Sequence, residues 1–363
     1  MNILYLNNEM TIGGVAKCIL KLSKELKGSN KIFIASKEGG ALLPEFAKIG
    51  IKNYPIIDIS NKSPHNIILN IIKLIKIVKE QNIDIIHSHH RMTTLLAKAV
   101  AKFTEVKVIH TQHLCIEDKF ELTKFALSNI KIITVSEAAK RILIQKSNLK
   151  AEDITTIYNT IETHCENMII DNKLLELKKA GYFVVAQVSR IIDYKGVYDF
   201  IEVAKKTTKL NNKIKFVLLG DGPELNNIKD IVKREKLEND IYLLGSKDNV
   251  IEHLKYIDLL ILCSYIEGLP LAPLEAFSQG VPVIATNIDG TNEEIENGEN
   301  GYLVEMKDVE AFKEKILKLY DDEALLSSLK KNAVTKYEKL FNTDVYINKH
   351  VETYLQLKVK DEK

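Results

Sequence analysis

The stretch "EGLPLAPLEAFSQG", Glu267 to Gly280, sets two carboxylates eight positions apart around a Gly, two Pro and otherwise apolar residues. An ionised carboxylate only accepts hydrogen bonds, and it can take them from two hydroxyl groups of one ring at once. A helix is expected to start near Leu271–Pro273, since Pro is tolerated in a first turn and Glu275 there would meet the positive end of the helix dipole. The backbone N–H groups of Gly268, Leu269, Leu271 and Ala272 would then face one crevice and suit an anion. Upstream, "FVVAQVSRIIDYKG" ends an apolar run with Arg190 and places Lys195 and Gly196 where a helix should begin. Two cations at a strand's carboxyl end, beside a helix N-terminus, suit a diphosphate. Each of these residues also has an ordinary reading: Glu275 as a helix cap, Glu267 as a loop charge, Arg190 or Lys195 as a solvated surface cation. In "FVLLGDGPE", Gly220 and Gly222 bracket Asp221, which tight turn geometry alone would explain.

The first half carries a sparser set. "TIGGVAK" puts Gly13 and Gly14 between a strand and a helix, where glycine permits close approach of a phosphate or an acceptor. "DIIHSHHRM" clusters His87, His89, His90 and Arg91 at a strand end, and "VIHTQHLCIED" adds His110 and His113 at another. The histidines have no matching acidic ligands, so an acceptor-facing role for some of them is preferred to a metal site. In "VSEAAK", Ser136 reads as a helix cap.

Positioning these residues takes a particular scaffold. Short apolar runs ("NILYLN", "KIFIAS", "IDIIHSH", "VKVIHT", "IKIITVS") alternate with helical patterns such as "VAKCILKLSKELK" and "NIILNIIKLIKIVKEQ". After a polar, poorly periodic stretch around Thr163–Lys179 the alternation resumes with "FVVAQVSR", "IKFVLLGDG", "IYLLG", "LLILCS" and "PVIAT". Such alternation implies parallel sheets covered on both faces, and 363 residues exceed one ordinary core. The expected fold is α/β with two doubly wound domains, 1–165 and 178–340, facing an interdomain cleft; a helix at about 343–357 would return to the first. Ligands in such sheets bind beyond the strands' carboxyl ends.

Bulk properties narrow the class. The chain has 45% hydrophobic and 28% charged residues, which suits a folded, water-soluble protein. The first residues lack a basic segment followed by a long apolar run and read as a strand rather than a secretion signal. No apolar run approaches the ~20 residues of a membrane span. Cys18, Cys115, Cys165 and Cys263 are isolated, as free thiols in a reducing cytoplasm would be. The first half is mildly basic and the second mildly acidic, which suits anionic lipid or ligand near the first half but equally fits ordinary surface variation. Nothing points to nucleic acid.

"EGLPLAPLEAFSQGVPVIAT" resembles the E-x7-E signature of the retaining glycosyltransferases of family 4, with Glu267 and Glu275 at the two Glu positions. "VSRIIDYKG", "LLGDGPE", "IYLLGS" and "NGENGYLV" follow in that family's order and spacing. The resemblance implies the GT-B fold of two Rossmann-like domains, an N-terminal acceptor-binding domain and a C-terminal domain for a nucleotide-sugar such as a UDP-sugar. Arg190 and Lys195 would contact the diphosphate, Glu275 the ribose, and Glu267 and His113 the donor sugar. Gly13 and Gly14 resemble the family's Gly-Gly loop, and main-chain groups of Gly245, Ser246 and Lys247 would read the base. Two departures stand out: Thr160 follows Asn159 where the family often has Asn-Gly, and "DGTNEE" replaces its Gly-Gly-x-Pro-Glu loop. The absence of any Asp-x-Asp agrees with a metal-independent hexosyltransferase that needs no cofactor.

The function so implied is retaining transfer of a sugar to a glycan or lipid-linked acceptor in cell-surface polysaccharide or capsule biosynthesis. It would take place in the cytoplasm or at the membrane's inner face, with peripheral contact through the N-terminal domain. The Ile- and Lys-rich helix "NIILNIIKLIKIVKEQ" would serve that contact, although core packing of one face is the more ordinary reading. Alternatives are a GT-B phosphorylase or epimerase, or a catalytically silent sugar-binding scaffold.

Overall fold

The structure, a computed structural model, describes residues 1–115, 118–163 and 169–359. Cys165 lies outside them. The chain divides into two compact units: Met1–Thr160 together with the C-terminal helix Thr343–Val359, and Ile161–Asn342.

The first unit holds β1 (Asn2–Leu6), β2 (Lys31–Ser36), β3 (Asn53–Pro55), β4 (Ile85–Ser88), β5 (Lys107–Gln112), β6 (Lys131–Thr134) and β7 (Ile154–Thr156). They form a parallel sheet in the order β3-β2-β1-β4-β5-β6-β7. Successive residues of β1 enter different cores: Ile3 and Tyr5 join the helices Gly14–Leu26 and Thr343–Val359, while Leu4 and Leu6 join the helices Pro64–Glu80 and Arg91–Ala101. Both faces are thus covered, and the strands read as continuous apolar runs because neither face meets water.

The second unit repeats the plan. It contains β8 (Phe183–Val188), β9 (Ile214–Leu219), β10 (Ile241–Gly245), β11 (Leu259–Leu262), β12 (Val283–Thr286) and β13 (Gly301–Val304). Their parallel order is β10-β9-β8-β11-β12-β13. In each sheet the connection reverses direction after the third strand, so β1 lies beside β4 and β8 beside β11. The helices on either side of such a reversal leave a crevice beyond the strand ends. Arg190, Lys195 and Glu267 follow β8 and β11 at that reversal, while Gly245, Ser246 and Lys247 lie at the end of the edge strand β10.

Three expectations change. The stretch read as aperiodic at Thr163–Lys179 contains the helix Asn172–Lys179, capped by Asp171, whose carboxylate accepts from Lys173 N–H at 2.9 Å. Only Leu174 and Leu177 of that helix are buried, too few to show a period among its polar residues. The helix Leu271–Ser278 begins at Leu271, so Glu275 falls in its second turn and the first turn has no acid. Helix capping therefore does not explain Glu275. The helix Pro64–Glu80 buries Asn70, Leu74, Ile77 and Val78 but leaves Ile68 and Ile72 each 57% exposed, so its Ile content exceeds what the core uses. Among the described residues, no helix is long and apolar enough to cross a membrane.

Candidate active site

In the second unit, β8 and β11 deliver their loops side by side. Tyr265 N–H donates to Tyr194 O at 2.8 Å and stitches the two loops together. The Lys195 ammonium donates to Glu267 Oε1 at 2.5 Å, with Glu267 only 4% exposed. The sequence offers these residues as separate contacts, one to phosphate and one to sugar. The structure joins them, so a buried carboxylate holds the ammonium in place and the ammonium compensates its charge.

Local backbone chemistry enforces this arrangement. Gly196 has φ +64°, and a Cβ there would stand 1.9 Å from Cys263 O, so only glycine lets the Lys195 turn close onto the end of β11. Gly196 also caps the helix Val197–Leu210, which presents its free N-terminal N–H groups beside Lys195. Gln187, wholly buried on β8, donates to Lys195 O at 2.9 Å and braces the same turn. Arg190 lies on the preceding turn, fastened by Ile191 N–H to Asp221 O at 2.9 Å and Glu224 N–H to Ile191 O at 3.1 Å. Its guanidinium is exposed and has no side-chain partner among the described residues. A cation held on an ordered turn without a side-chain partner among the described residues is available to an anion.

Glu275 is buried, at 8% exposure, while Leu271 and Ala272 at the helix start are half-buried and Gly268 and Leu269 are buried. Gly245 ends β10 with φ +72° at a register shift, Ser246 beyond it is exposed, and Gly245 O accepts from Gly220 N–H at 2.9 Å. The Lys247 ammonium is tied to Asp171 Oδ2 at 2.8 Å, which leaves that loop's main chain rather than its charge to meet a ligand.

One acid escapes sequence reasoning. Glu294 is completely buried, and neither of its carboxyl oxygens has a hydrogen-bond partner among the described residues. Burial first, then the charges of Glu267 and Glu293, push its carboxyl well above the ordinary range, against a smaller opposing pull from Lys336. Its segment abuts the site, because a Cβ on Gly290 (φ +96°) would stand 2.4 Å from Gly268 O. In sequence, Glu294 is one of two adjacent acids and reads as solvated charge. The one available signal is its position directly before the buried Ile295.

In the first unit Gly13 is the extended N-cap of the helix Gly14–Leu26, and a Cβ at Gly13 would meet nothing closer than Thr11 Oγ1 at 4.0 Å. The fold does not require glycine at that position. The histidines separate into two groups. His87 and His110 are buried and cannot face an acceptor: His87 bonds Tyr354 Oη and Thr111 Oγ1 at 2.7 and 2.6 Å, and His110 bonds Thr94 Oγ1 at 2.8 Å. Of the clustered histidines this leaves His89 and His90 for any acceptor-facing role, because His87 lies within a sheet that has no solvent face. His90 is exposed and accepts from Met92 N–H at the start of the helix Arg91–Ala101. Arg91 pairs with Asp118 at 3.1 Å. His89 and His113 bond each other at 2.9 Å. Among the described residues, no three His, Cys, Asp or Glu side chains gather as metal ligands would. Ser136 caps the helix Glu137–Gln145 by accepting from Ala139 N–H, as its sequence context suggests.

Comparison with known proteins places the chain in a family and a fold. Residues 171–336 match the family model "Glycosyl transferases group 1", and residues 12–164 match "Glycosyltransferase Family 4". The UDP-Gal:alpha-D-GlcNAc-diphosphoundecaprenol alpha-1,3-galactosyltransferase of Escherichia coli is 30% identical over 80% of this chain and 80% of its own length. The N-acetyl-alpha-D-glucosaminyl L-malate synthase of Bacillus anthracis is 27% identical over 80% of this chain and 79% of its own. The fold matches Anabaena HepE in complex with UDP and glucose at a TM-score of 0.82 and 19% identity, covering 97% of this chain and 98% of that one.

Proposed function

Because the chain belongs to glycosyltransferase family 4 and has the GT-B pair of Rossmann-like units, we propose that its second unit holds a UDP-sugar and that transfer retains the anomeric configuration. The observation that carries this reading is the meeting of Lys195 and Glu267 across the ends of β8 and β11, with Arg190, unpaired among the described residues, on the adjoining turn. Arg190 and Lys195 neutralise the diphosphate, Glu275 takes the ribose hydroxyls, Glu267 the donor sugar, and main-chain groups of Gly245–Lys247 the base. Catalysis is then charge stabilisation and orientation. The acceptor oxygen attacks the anomeric carbon on the face from which the phosphate departs. The bond from that carbon to the phosphate oxygen breaks, the bond to the acceptor forms, and the departing phosphate oxygen takes the acceptor's proton. The two cations supply the charge that a divalent ion supplies to other transferases.

For the acceptor we favour a lipid-linked glycan of cell-surface polysaccharide or capsule synthesis, at the inner face of the membrane. One relative named above acts on a diphosphoundecaprenol-linked sugar. Support within this chain is an apolar surface on the first unit. Ile68, Ile72, Phe103 and Phe125 are exposed by 57, 57, 66 and 70%, and Phe125 lines a cavity of about 450 Å³ together with Ile67, Ile71, Met92 and Leu95. Lysines 98 and 102 also line it, in the pattern of a surface that lies on anionic lipid. Flotation with anionic vesicles is expected to carry the protein up and to fail for Ile68→Asp/Ile72→Asp. Equal recovery of both proteins in the soluble fraction would refute the membrane contact.

The reaction itself is tested by incubating UDP-sugars with and without a diphosphate-linked lipid sugar and following the anomeric protons by NMR. The expected result is a new linkage of the donor's own configuration, formed only when acceptor is present. A changed nucleotide-sugar without acceptor would mark an epimerase, an inverted product would overturn retention, and no conversion at all would mark a silent scaffold.

A further inference from the structure

Three imidazoles stand in a row at the carboxyl edge of the first sheet. His87 and His89 stack with centroids 4.4 Å apart and planes at 23°, and His89 and His113 follow at 5.2 Å and 29°. His87 is anchored at both nitrogens, by Tyr354 from the C-terminal helix and by Thr111 from β5. His89 is not. Its Nδ1 meets His113 Nε2 at 2.9 Å, whereas its own Nε2 is buried with no partner among the described residues.

That asymmetry decides where the protons are. Burial, followed by the neighbouring imidazoles, holds His89 well below the ordinary histidine range. Burial, then His110 and His350, brings His113 down to about 3. Both rings are therefore neutral near neutral pH, and each carries one N–H. A proton on His89 Nε2 would be a buried donor with no acceptor among the described residues, which costs the full desolvation of the N–H. Orphaned buried donors are rarer than under-used acceptors. The proton of His89 thus belongs on Nδ1, where it is donated to His113 Nε2. The single proton of His113 must then sit on its Nδ1. That atom has no partner among the described residues, and His113 is half-buried rather than enclosed.

We propose that His89 is a positioning residue that fixes the tautomer of His113, so that His113 presents Nδ1–H as a permanent donor to an oxygen of a bound sugar. This rests on the reading of His113 as a substrate contact. It also removes His113 as a base, because the nitrogen it offers already carries a proton; the acceptor's proton goes to the departing phosphate instead. The stack against His87, itself fastened through Tyr354, keeps the His89 ring from turning.

Nitrogen-15 NMR of the imidazoles tests this directly, with the His113 signals assigned by their loss in His113→Asn. The wild-type protein is expected to show His113 protonated at Nδ1 and bare at Nε2. His89→Phe keeps a ring in the stack but loses the donor, so His113 should shift towards the Nε2–H form. Turnover should fall about 10–100-fold, by analogy with the loss when a partner that orients a metal-bound imidazole is removed. His89→Gln, which has an amide N–H to donate, should recover the tautomer and most of the lost rate. Nε2–H in the wild type, or an unchanged tautomer in His89→Phe, overturns the proposal. Full activity of His113→Asn, with the tautomer still under the control of His89, would overturn the substrate contact instead.

Discussion

Arg190→Ala and Lys195→Ala are each expected to lower turnover by about 10²–10³-fold, the loss typical of one preorganised group that stabilises developing charge. In other respects they should behave differently. Arg190 is exposed, with no side-chain partner among the described residues, so its removal should leave stability within about 0.5 kcal/mol of the parent. Lys195 is the ion-pair partner of Glu267, which is 4% exposed. Taking the lysine away strands a buried carboxylate, at a cost of about 1–3 kcal/mol, and the melting temperature should fall. Lys195→Ala/Glu267→Gln should recover much of that stability and none of the rate. Steady-state kinetics and thermal melts on the purified variants separate the two effects. Wild-type turnover in Arg190→Ala/Lys195→Ala would remove the phosphate site.

Glu294→Gln is expected to stabilise the protein at neutral pH, and increasingly so as pH rises. Glu294 is fully buried, with neither carboxyl oxygen partnered among the described residues, and its folded-state pKa is raised above that of the unfolded chain. Below the unfolded pKa both states hold the proton, and the group adds no pH dependence. Above it the unfolded chain releases its proton while the folded one keeps it, so stability falls by about 1.4 kcal/mol per pH unit until the folded pKa is reached. Gln has no proton to release, so the variant's advantage should widen as pH rises from the unfolded carboxyl pKa towards the raised folded one, as read from urea melts. Parallel curves for the two proteins over that range would show that Glu294 ionises in the folded state, contrary to its surroundings.

The alternation of strand and helix was legible because a doubly covered parallel sheet needs strands apolar throughout. The strands it missed are β3, β7 and β13, three or four residues long and at sheet edges or next to them. β3, "NYP", even ends on proline, which edge strands tolerate. The C-terminal helix hides its packing for another reason. It buries Tyr346, His350, Thr353 and Tyr354, side chains that hydrophobic patterning discounts.

In the site, Arg190, Lys195 and Glu267 could be found because each follows a strand, where such folds bind ligands. That Lys195 and Glu267 touch could not be found. They are 72 positions apart, and only the reversal that sets β8 beside β11 brings them together. Gln187 looks like one more residue of a strand, and Glu294 like surface charge. Their roles come from complete burial, which a pair of letters does not display.

The account rests on a nucleoside diphosphate held at the ends of β8 and β11, and the most direct measurement is a thermal-shift titration with UDP, GDP and their sugars. UDP at a hundred times its dissociation constant is expected to stabilise the wild-type protein by about 2.7 kcal/mol, with little shift in Arg190→Ala/Lys195→Ala. An equal shift in both proteins, or none from any of these ligands at millimolar concentration, would contradict it.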